Sequence, residues 1–379
     1  MDNSYKSLFL LDKDTIYLNH GSFGACPKAI FDSLIQWQRK LENDPLLHLA
    51  VDIYSHLEKS REALSNYVDC HKDDIVFSPN PSTALNTIIK SLDLQIDDEI
   101  LTTNHEYGAL DRTWNFICKR TGAKYIKTKI ELPFLSEDYF TNSIISRVTK
   151  KTKVIFLSHI TSSTGLIFPI EKICTFAREN NILCIIDGAH APGHISLSIK
   201  KLDPDIYVGA CHKWMCAPKG TSFLYAKKEI QNEIDPLVVS WGYEAEEPSH
   251  SQFLDYHQWQ GTNDYSAYLT MPDIIKFLNK YDWKNVSKKC RDNNLKARKL
   301  LNNFFNKKPI SSNKFIGQMS SIEIDCKDIL ALMEELYKSF KIQVPIFKWE
   351  DKTFLRISMQ AYNEIEDIDR LIFALKKIS

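Results

Sequence analysis

Apolar residues fall in short runs up to about residue 230, and between the runs they recur at helical spacing. Residues 75–77 form one such run. The loop Ser-Pro-Asn-Pro-Ser-Thr follows it, and then Leu85, Ile88, Ile89 and Leu92 share one face of a helix. Residues 154–157 predict a second buried strand. Ile170, Ile173, Cys174 and Ala177 then give a helical stripe, and 182–186 a further strand. Runs at 206–208 and 222–225 complete the series. Strand, helix and strand at this spacing predict an α/β core around a mainly parallel sheet. Beyond about residue 265 the pattern changes to polar helices over 271–281 and 283–306. A strand at 321–324, a helix over Ile329–Phe340 and a strand at 354–358 come next, and a last helix carries Ile365, Ile368, Leu371, Ile372 and Leu375. The division expected is an N-terminal segment (1–20) packed on a small α+β domain (266–379), with a large domain over 21–265 between them.

Composition narrows the class. At 379 residues, 44% apolar and 25% charged, the chain suits a soluble globular protein with a large core. Forty-eight basic residues balance forty-eight acidic ones, which leaves no global footprint for nucleic acid. No apolar run approaches a membrane span and the first residues lack a signal-peptide pattern, so a cytoplasmic location is the expectation. The nine cysteines are odd in number and form no CxxC pair, which favours reduced, buried thiols over a disulfide framework.

Two residues carry the first chemical signal. Asp187 directly follows the apolar run 182–186, at the carboxyl end of a strand, where open parallel sheets place ligands. Lys213 lies in the loop Gly-Ala-Cys-His-Lys-Trp after the run 206–208, flanked by apolar residues. Desolvation lowers a lysine's pKa, and a neutral amine beside a carboxylate is what Schiff-base chemistry requires. Ser82 or Thr83 can cap the helix after the loop at 78–83, whose free amides form an anion site.

With these residues in place, the chain resembles the class V aminotransferase-fold enzymes that use pyridoxal 5'-phosphate (PLP), in the subgroup similar to isopenicillin N epimerase. The matching segments are YLNHGSFGACP (17–27), NPSTALN (80–86), NHEYGA (104–109), SHITSSTGLIFPI (158–170), DGAHAPG (187–193), CHKWMCAPKG (211–220), WQGTNDYSAYL (259–269) and LRISMQAYN (355–363). The resemblance implies fold type I, with a seven-stranded type of sheet in the large domain. It implies that Lys213 holds PLP and moves the Cα proton, that Asp187 pairs with the pyridinium nitrogen, and that His190 bonds the ring's 3-oxygen. His105 matches the group that stacks on the ring, with Tyr107 competing for that place. Ser82, Thr83, Ser162 and His212 fall at cofactor-binding positions, and Thr262 at one that reaches the neighbouring subunit's phosphate, which implies a homodimer with shared sites. Arg356 matches the arginine that grips an amino-acid carboxylate.

This chain departs from its relatives at three places. Ala210 replaces a frequent phosphate-binding serine, Asn263 a frequent arginine, and Leu46 and Leu47 stand where an arginine often faces the substrate. Relatives that desulfurate cysteine carry a cysteine shortly before the segment matching Arg356, and 341–352 holds none. No metal centre is expected: His190 and His194 are four apart, but Pro192 and Gly193 interrupt any shared helix face. Asn19 and His20 either line the substrate pocket or form a turn. The activity implied is epimerisation or C–S β-elimination on an amino acid, with transamination as the alternative and cysteine desulfuration behind both. A non-catalytic binding protein has no need of Lys213, Asp187, His190 and Arg356 together.

Overall fold

The structure is a computed structural model and describes residues 5–378; the first four residues of the expected N-terminal segment lie outside it. Its strands are β1 (Ile16–Tyr17), β2 (Ile75–Ser78), β3 (Glu99–Thr103), β4 (Lys124–Thr128), β5 (Thr152–Ser158) and β6 (Leu183–Gly188). They continue with β7 (Ile206–Ala210), β8 (Ser222–Ala226), β9 (Met319–Ile324), β10 (Ile342–Gln343), β11 (Ile346–Trp349) and β12 (Lys352–Ser358). Seven of them form one sheet in the order β2-β8-β7-β6-β5-β3-β4, with β8 antiparallel to both its neighbours and every other pairing parallel.

Alternation explains why these runs are almost wholly apolar. Ile75, Phe77, Leu101, Ile155, Leu157, Ile186, Tyr207 and Phe223 pack into a core on one face, and Val76, Ile100, Val154, Phe156, Ile185, Val208 and Leu224 into a second core on the other. A sheet covered by helices on both faces has no solvent side to make polar. Each fully buried side chain of this size contributes roughly 1.5–3 kcal/mol. The carboxyl ends of β5, β6 and β7 carry Ser158, Asp187 and Ala210 side by side along one sheet edge.

The C-terminal part is a three-stranded antiparallel sheet, β11-β12-β9, flanked by the helices Trp283–Phe305, Ile329–Phe340 and Ile365–Ile378. The N-terminal chain joins it, because β1 pairs parallel with β10 and Ile16 and Leu18 enter the same apolar cluster as Ile322 and Leu355. Helices Lys28–Asn43 and Ile53–Val68 are connected by a π-helical turn, Leu47–Val51. Five strands escape the hydrophobic pattern: the short β1, β10 and β11, and two of the seven-stranded sheet. β3 (EILTT) and β4 (KYIKT) mix polar residues into their runs, and β4 is an edge strand with a partly exposed face.

Candidate active site

A cavity of about 470 Å³ opens at the carboxyl ends of the strands, lined among others by Ser82, Tyr107, Asp187, His190, His212, Lys213 and Arg356. The backbone around Lys213 is fixed from several sides. Thr221 O accepts from the amides of Cys211 and His212 at 3.0 Å each, and His20 Nε2 donates to Lys213 O at 2.9 Å. Gly24 lets the N-terminal chain close on this loop, since a Cβ there would fall 2.2 Å from the His212 carbonyl oxygen.

Lys213 Nζ lies 3.1 Å from His190 Nε2, and Trp214 donates its indole N–H to His190 Nδ1 at 3.2 Å. Burial pushes the Lys213 amine down to about 8; Asp187 opposes that shift and Arg356 reinforces it. Burial raises the Asp187 carboxyl, against the pull of the Ala189 amide and of Lys213. Desolvation first, and then Lys213 and Arg356, hold His190 well below its ordinary value. Beneath the cavity Glu106 is fully enclosed and pushed up to about 7 by burial, while Thr103 and Ser158 donate to it.

Arg356, on β12, is buried and donates to Ser162 (carbonyl and hydroxyl) and to the Ser22 hydroxyl. Among the described residues no carboxylate pairs with it, and burial lowers its guanidinium to about 10. A buried cation without a counter-ion is costly unless an anionic ligand completes the site. Elsewhere in the lining His212 donates through Nδ1 to Thr221 O at 2.8 Å, leaving Nε2 without a protein partner, and the Ser82 hydroxyl has none.

Several expected residues stand elsewhere. His105 does not reach the cavity: its Nε2 donates to Ile130 O at 2.8 Å, its Nδ1 meets the Thr164 hydroxyl at 2.9 Å, and its ring packs 4.4 Å from that of Trp349. Tyr107 lines the cavity instead. Neither Ser82 nor Thr83 caps its helix; Asn80 does, accepting from the Thr83 amide at 2.9 Å, and Thr83 lies outside the lining. Asn19 and His20 lie behind the wall, where His20 binds Lys213 O and the Tyr362 hydroxyl, while their neighbours Gly21, Ser22 and Phe23 form the wall itself. Thr262 is exposed and outside the cavity. Sequence reasoning passed over Ser22, Glu106, Ser158 and Lys219, although three of the four lie inside segments that carry the resemblance and Ser158 opens a fourth. His190 and His194 share no ligand position, since His194 Nδ1 bonds to His190 O at 3.0 Å and its Nε2 accepts from the Gln318 amide.

A larger cleft of about 710 Å³, lined by Ser196, Asn285 and Arg291 among others, holds neither Lys213 nor Asp187. The chemistry therefore sits in the smaller cavity. Its side chains suit PLP: an amine favoured in its neutral form for the aldehyde, a buried carboxyl for the ring nitrogen, and the unpartnered Ser82 hydroxyl for the phosphate. The sequence profile described as Aminotransferase class-V matches residues 16–371. The chain belongs to the class V aminotransferase family. The chain is similar in sequence to the isopenicillin N epimerase of Streptomyces clavuligerus, 29% identical over 385 residues covering 98% of this chain and 96% of that protein. The hercynylcysteine sulfoxide lyase of Schizosaccharomyces pombe (strain 972 / ATCC 24843) is 24% identical over 375 residues, 96% of this chain and 94% of the lyase. Among solved structures, the apo cysteine desulfurase of Thermococcus onnurineus NA1 superposes with a TM-score of 0.85 at 16% identity, over 100% of this chain and 98% of the other. The cystine C–S lyase C-DES bound to cysteine persulfide gives 0.80 at 19% identity, over 96% and 97%. The fold is that of the type I PLP enzymes, the cofactor is pyridoxal phosphate, and the protein is a PLP-dependent enzyme.

Proposed function

We propose that this enzyme works at Cα and Cβ of a free amino acid, by epimerisation or by β-elimination that breaks a C–S bond. The observation that carries the reading is Arg356, a buried guanidinium with no carboxylate partner, facing the same cavity as Lys213 and Asp187. Its fork takes the substrate α-carboxylate, and Ser162 and Ser22 hold it in place. Lys213 then takes and returns the proton at Cα. Asp187 would hold a proton at the pyridine nitrogen of bound PLP, whose ring would supply an electron sink at Cα. His190 would donate to the ring oxygen, Tyr107 would cover the ring, and Ser82, His212 and Lys219 would lie at the phosphate. Transamination uses the same first steps and is the second reading.

The same proposal includes a homodimer. Thr262 of the partner subunit would complete the phosphate cup, which fits its exposed place outside the cavity of its own chain. Exposed apolar side chains at Leu46 (75%), Val51 (65%), Val239 (68%) and Trp241 (87%) give a second copy surface to cover. A cytoplasmic location and the division at about residue 265 belong to this reading too; among the described residues no helix is long and apolar enough to cross a membrane. The test is a panel of amino acids and S-substituted cysteines, with pyruvate, keto acid and the opposite enantiomer all measured. Pyruvate or racemised substrate supports the proposal, whereas keto acid formed stoichiometrically with an amino acceptor replaces it with the second reading.

A further inference from the structure

Away from the cavity, His48, Asp52 and His56 follow one another at intervals of four along the chain. Intervals of four stack side chains on one helical face. The π-helical turn Leu47–Val51, closed by Asp52 N–H to Leu47 O at 2.8 Å, runs straight into helix Ile53–Val68 and keeps the three on that face. One ligand atom from each lies within 4.8 Å of the others, with His48 Nδ1 3.4 Å and His56 Nε2 4.0 Å from Asp52 Oδ2. Both of these ring nitrogens are buried and make no hydrogen bond. His48 as a whole is only 8% exposed. Buried nitrogens without a partner are uncommon, and two aimed at one carboxylate call for a specific occupant. Among the described residues Asp52 forms an ion pair with no lysine or arginine.

We propose that His48, Asp52 and His56 bind a divalent transition-metal ion, independently of the PLP site. Imidazole and carboxylate donors together select zinc-type ions over calcium or magnesium. Donors sharing one such ion stand about 3–3.5 Å apart, so a rotamer adjustment of about 1 Å closes the present spacing. Water fills the remaining coordination. Binding requires neutral imidazoles. Trp37 packs on the His56 ring, with centroids 5.1 Å apart, so the ion ties the π-helical turn and helix Ile53–Val68 to helix Lys28–Asn43.

The holoenzyme, dialysed against a chelator, is titrated with Co²⁺ and then with Zn²⁺ at pH 7.5. One equivalent of Co²⁺ is expected, with d–d bands of nitrogen and oxygen ligation and no thiolate charge-transfer band, displaced by Zn²⁺ with a rise in the thermal midpoint. Asp52→Asn and His56→Gln, which keep the side-chain volume, weaken binding at least about tenfold and leave PLP absorbance and the metal-free midpoint unchanged. The proposal is overturned if the His48→Gln/His56→Gln double variant binds Co²⁺ as tightly as the parent, if the spectrum shows thiolate ligation, or if no equivalent binds at about 100 µM metal.

Discussion

Trp214 donates its indole N–H to Nδ1 of His190 at 3.2 Å, and that bond decides where the proton lies between His190 and Lys213. An indole only donates, so His190 Nδ1 must offer a lone pair. A neutral imidazole then carries its hydrogen on Nε2, which faces Lys213 Nζ at 3.1 Å and needs a lone pair there. The neutral amine, favoured already by burial, is the form this contact accepts. With the amine bonded to PLP, the same N–H would be free to donate to the ring oxygen.

The Lys213 amine is therefore expected to titrate near 8 in the apoenzyme rather than at the usual 10.5. A lowered cation pKa means that the neutral fraction rises tenfold per pH unit up to about 8 and then levels off. The rate of acylation of Lys213 against pH, followed by peptide mapping, measures it. Trp214→Phe frees His190 to accept from an ammonium and so moves the midpoint upward. A wild-type midpoint near 10.5 would refute the desolvation argument.

Lys213→Ala is expected to lower turnover by roughly 10³-fold or more and to leave PLP removable by dialysis after borohydride treatment. Asp187→Ala should retain covalently attached cofactor but lose most activity, because an unprotonated ring withdraws electrons poorly. Activity intact in the first variant, with the cofactor fixed on another lysine, contradicts the assignment.

Arg356→Lys should raise KM for the amino acid about 10–100-fold with a smaller change in kcat. A lysine cannot reproduce the two parallel hydrogen bonds of the guanidinium, and each charge-assisted bond contributes about 1.5–3 kcal/mol. Equal loss in kcat with KM unchanged would place Arg356 away from the carboxylate.

Glu106 gives a pH dependence of stability. Its folded pKa of about 7 lies above the ordinary 4.5, so between these values the folded chain binds more protons than the unfolded one. Stability from this group is complete below about 4.5 and declines as pH rises towards 7 and beyond. Asp187, also raised by burial, acts in the same direction. Thermal midpoints from pH 4.5 to 8 should fall less steeply in Glu106→Gln than in the parent, and parallel curves would exclude the contribution.

What could be read from the sequence follows the physics of each element. The runs behind β2, β5, β6, β7 and β8 are legible because both faces of these strands are buried, which makes them unbroken in apolar residues. Lys124–Thr128 is not, because an edge strand with lysines on its open face carries no such run. Asp187 and Lys213 are legible for the same reason as the strands they follow. Ser22 and Glu106 are not, since each acts through a partner far away in the chain, Arg356 for the first and Ser158 for the second. His105 misleads because a histidine beside a strand end suits both a cavity and a core, and only its two internal hydrogen bonds separate the cases.

Solved structures of similar fold include cysteine desulfurases, yet the chain is expected not to be one. A desulfurase needs a mobile cysteine that attacks the substrate sulfur and carries it as a persulfide. The stretch 341–352, where such a cysteine would stand, has none, and it is built as β10, β11 and the start of β12, with a tight turn at Glu350 and Asp351. Cys326 lies in the loop between β9 and helix Ile329–Phe340 and packs partly into the C-terminal core. Cys211 and Cys216 are fully buried, and burial raises both thiols well above their ordinary pKa, so neither supplies a thiolate. With no carrier, cleavage of a C–S bond has to follow loss of the Cα proton to Lys213, with the electron pair leaving on sulfur. L-Cysteine should then yield sulfide, pyruvate and ammonia in equal amounts, the last two by hydrolysis of the released enamine. The experiment is incubation with L-cysteine and a reductant, with alanine and pyruvate quantified together. Stoichiometric alanine, with a persulfide trapped on one of the nine cysteines, would show that a carrier exists and that the β-elimination route is wrong.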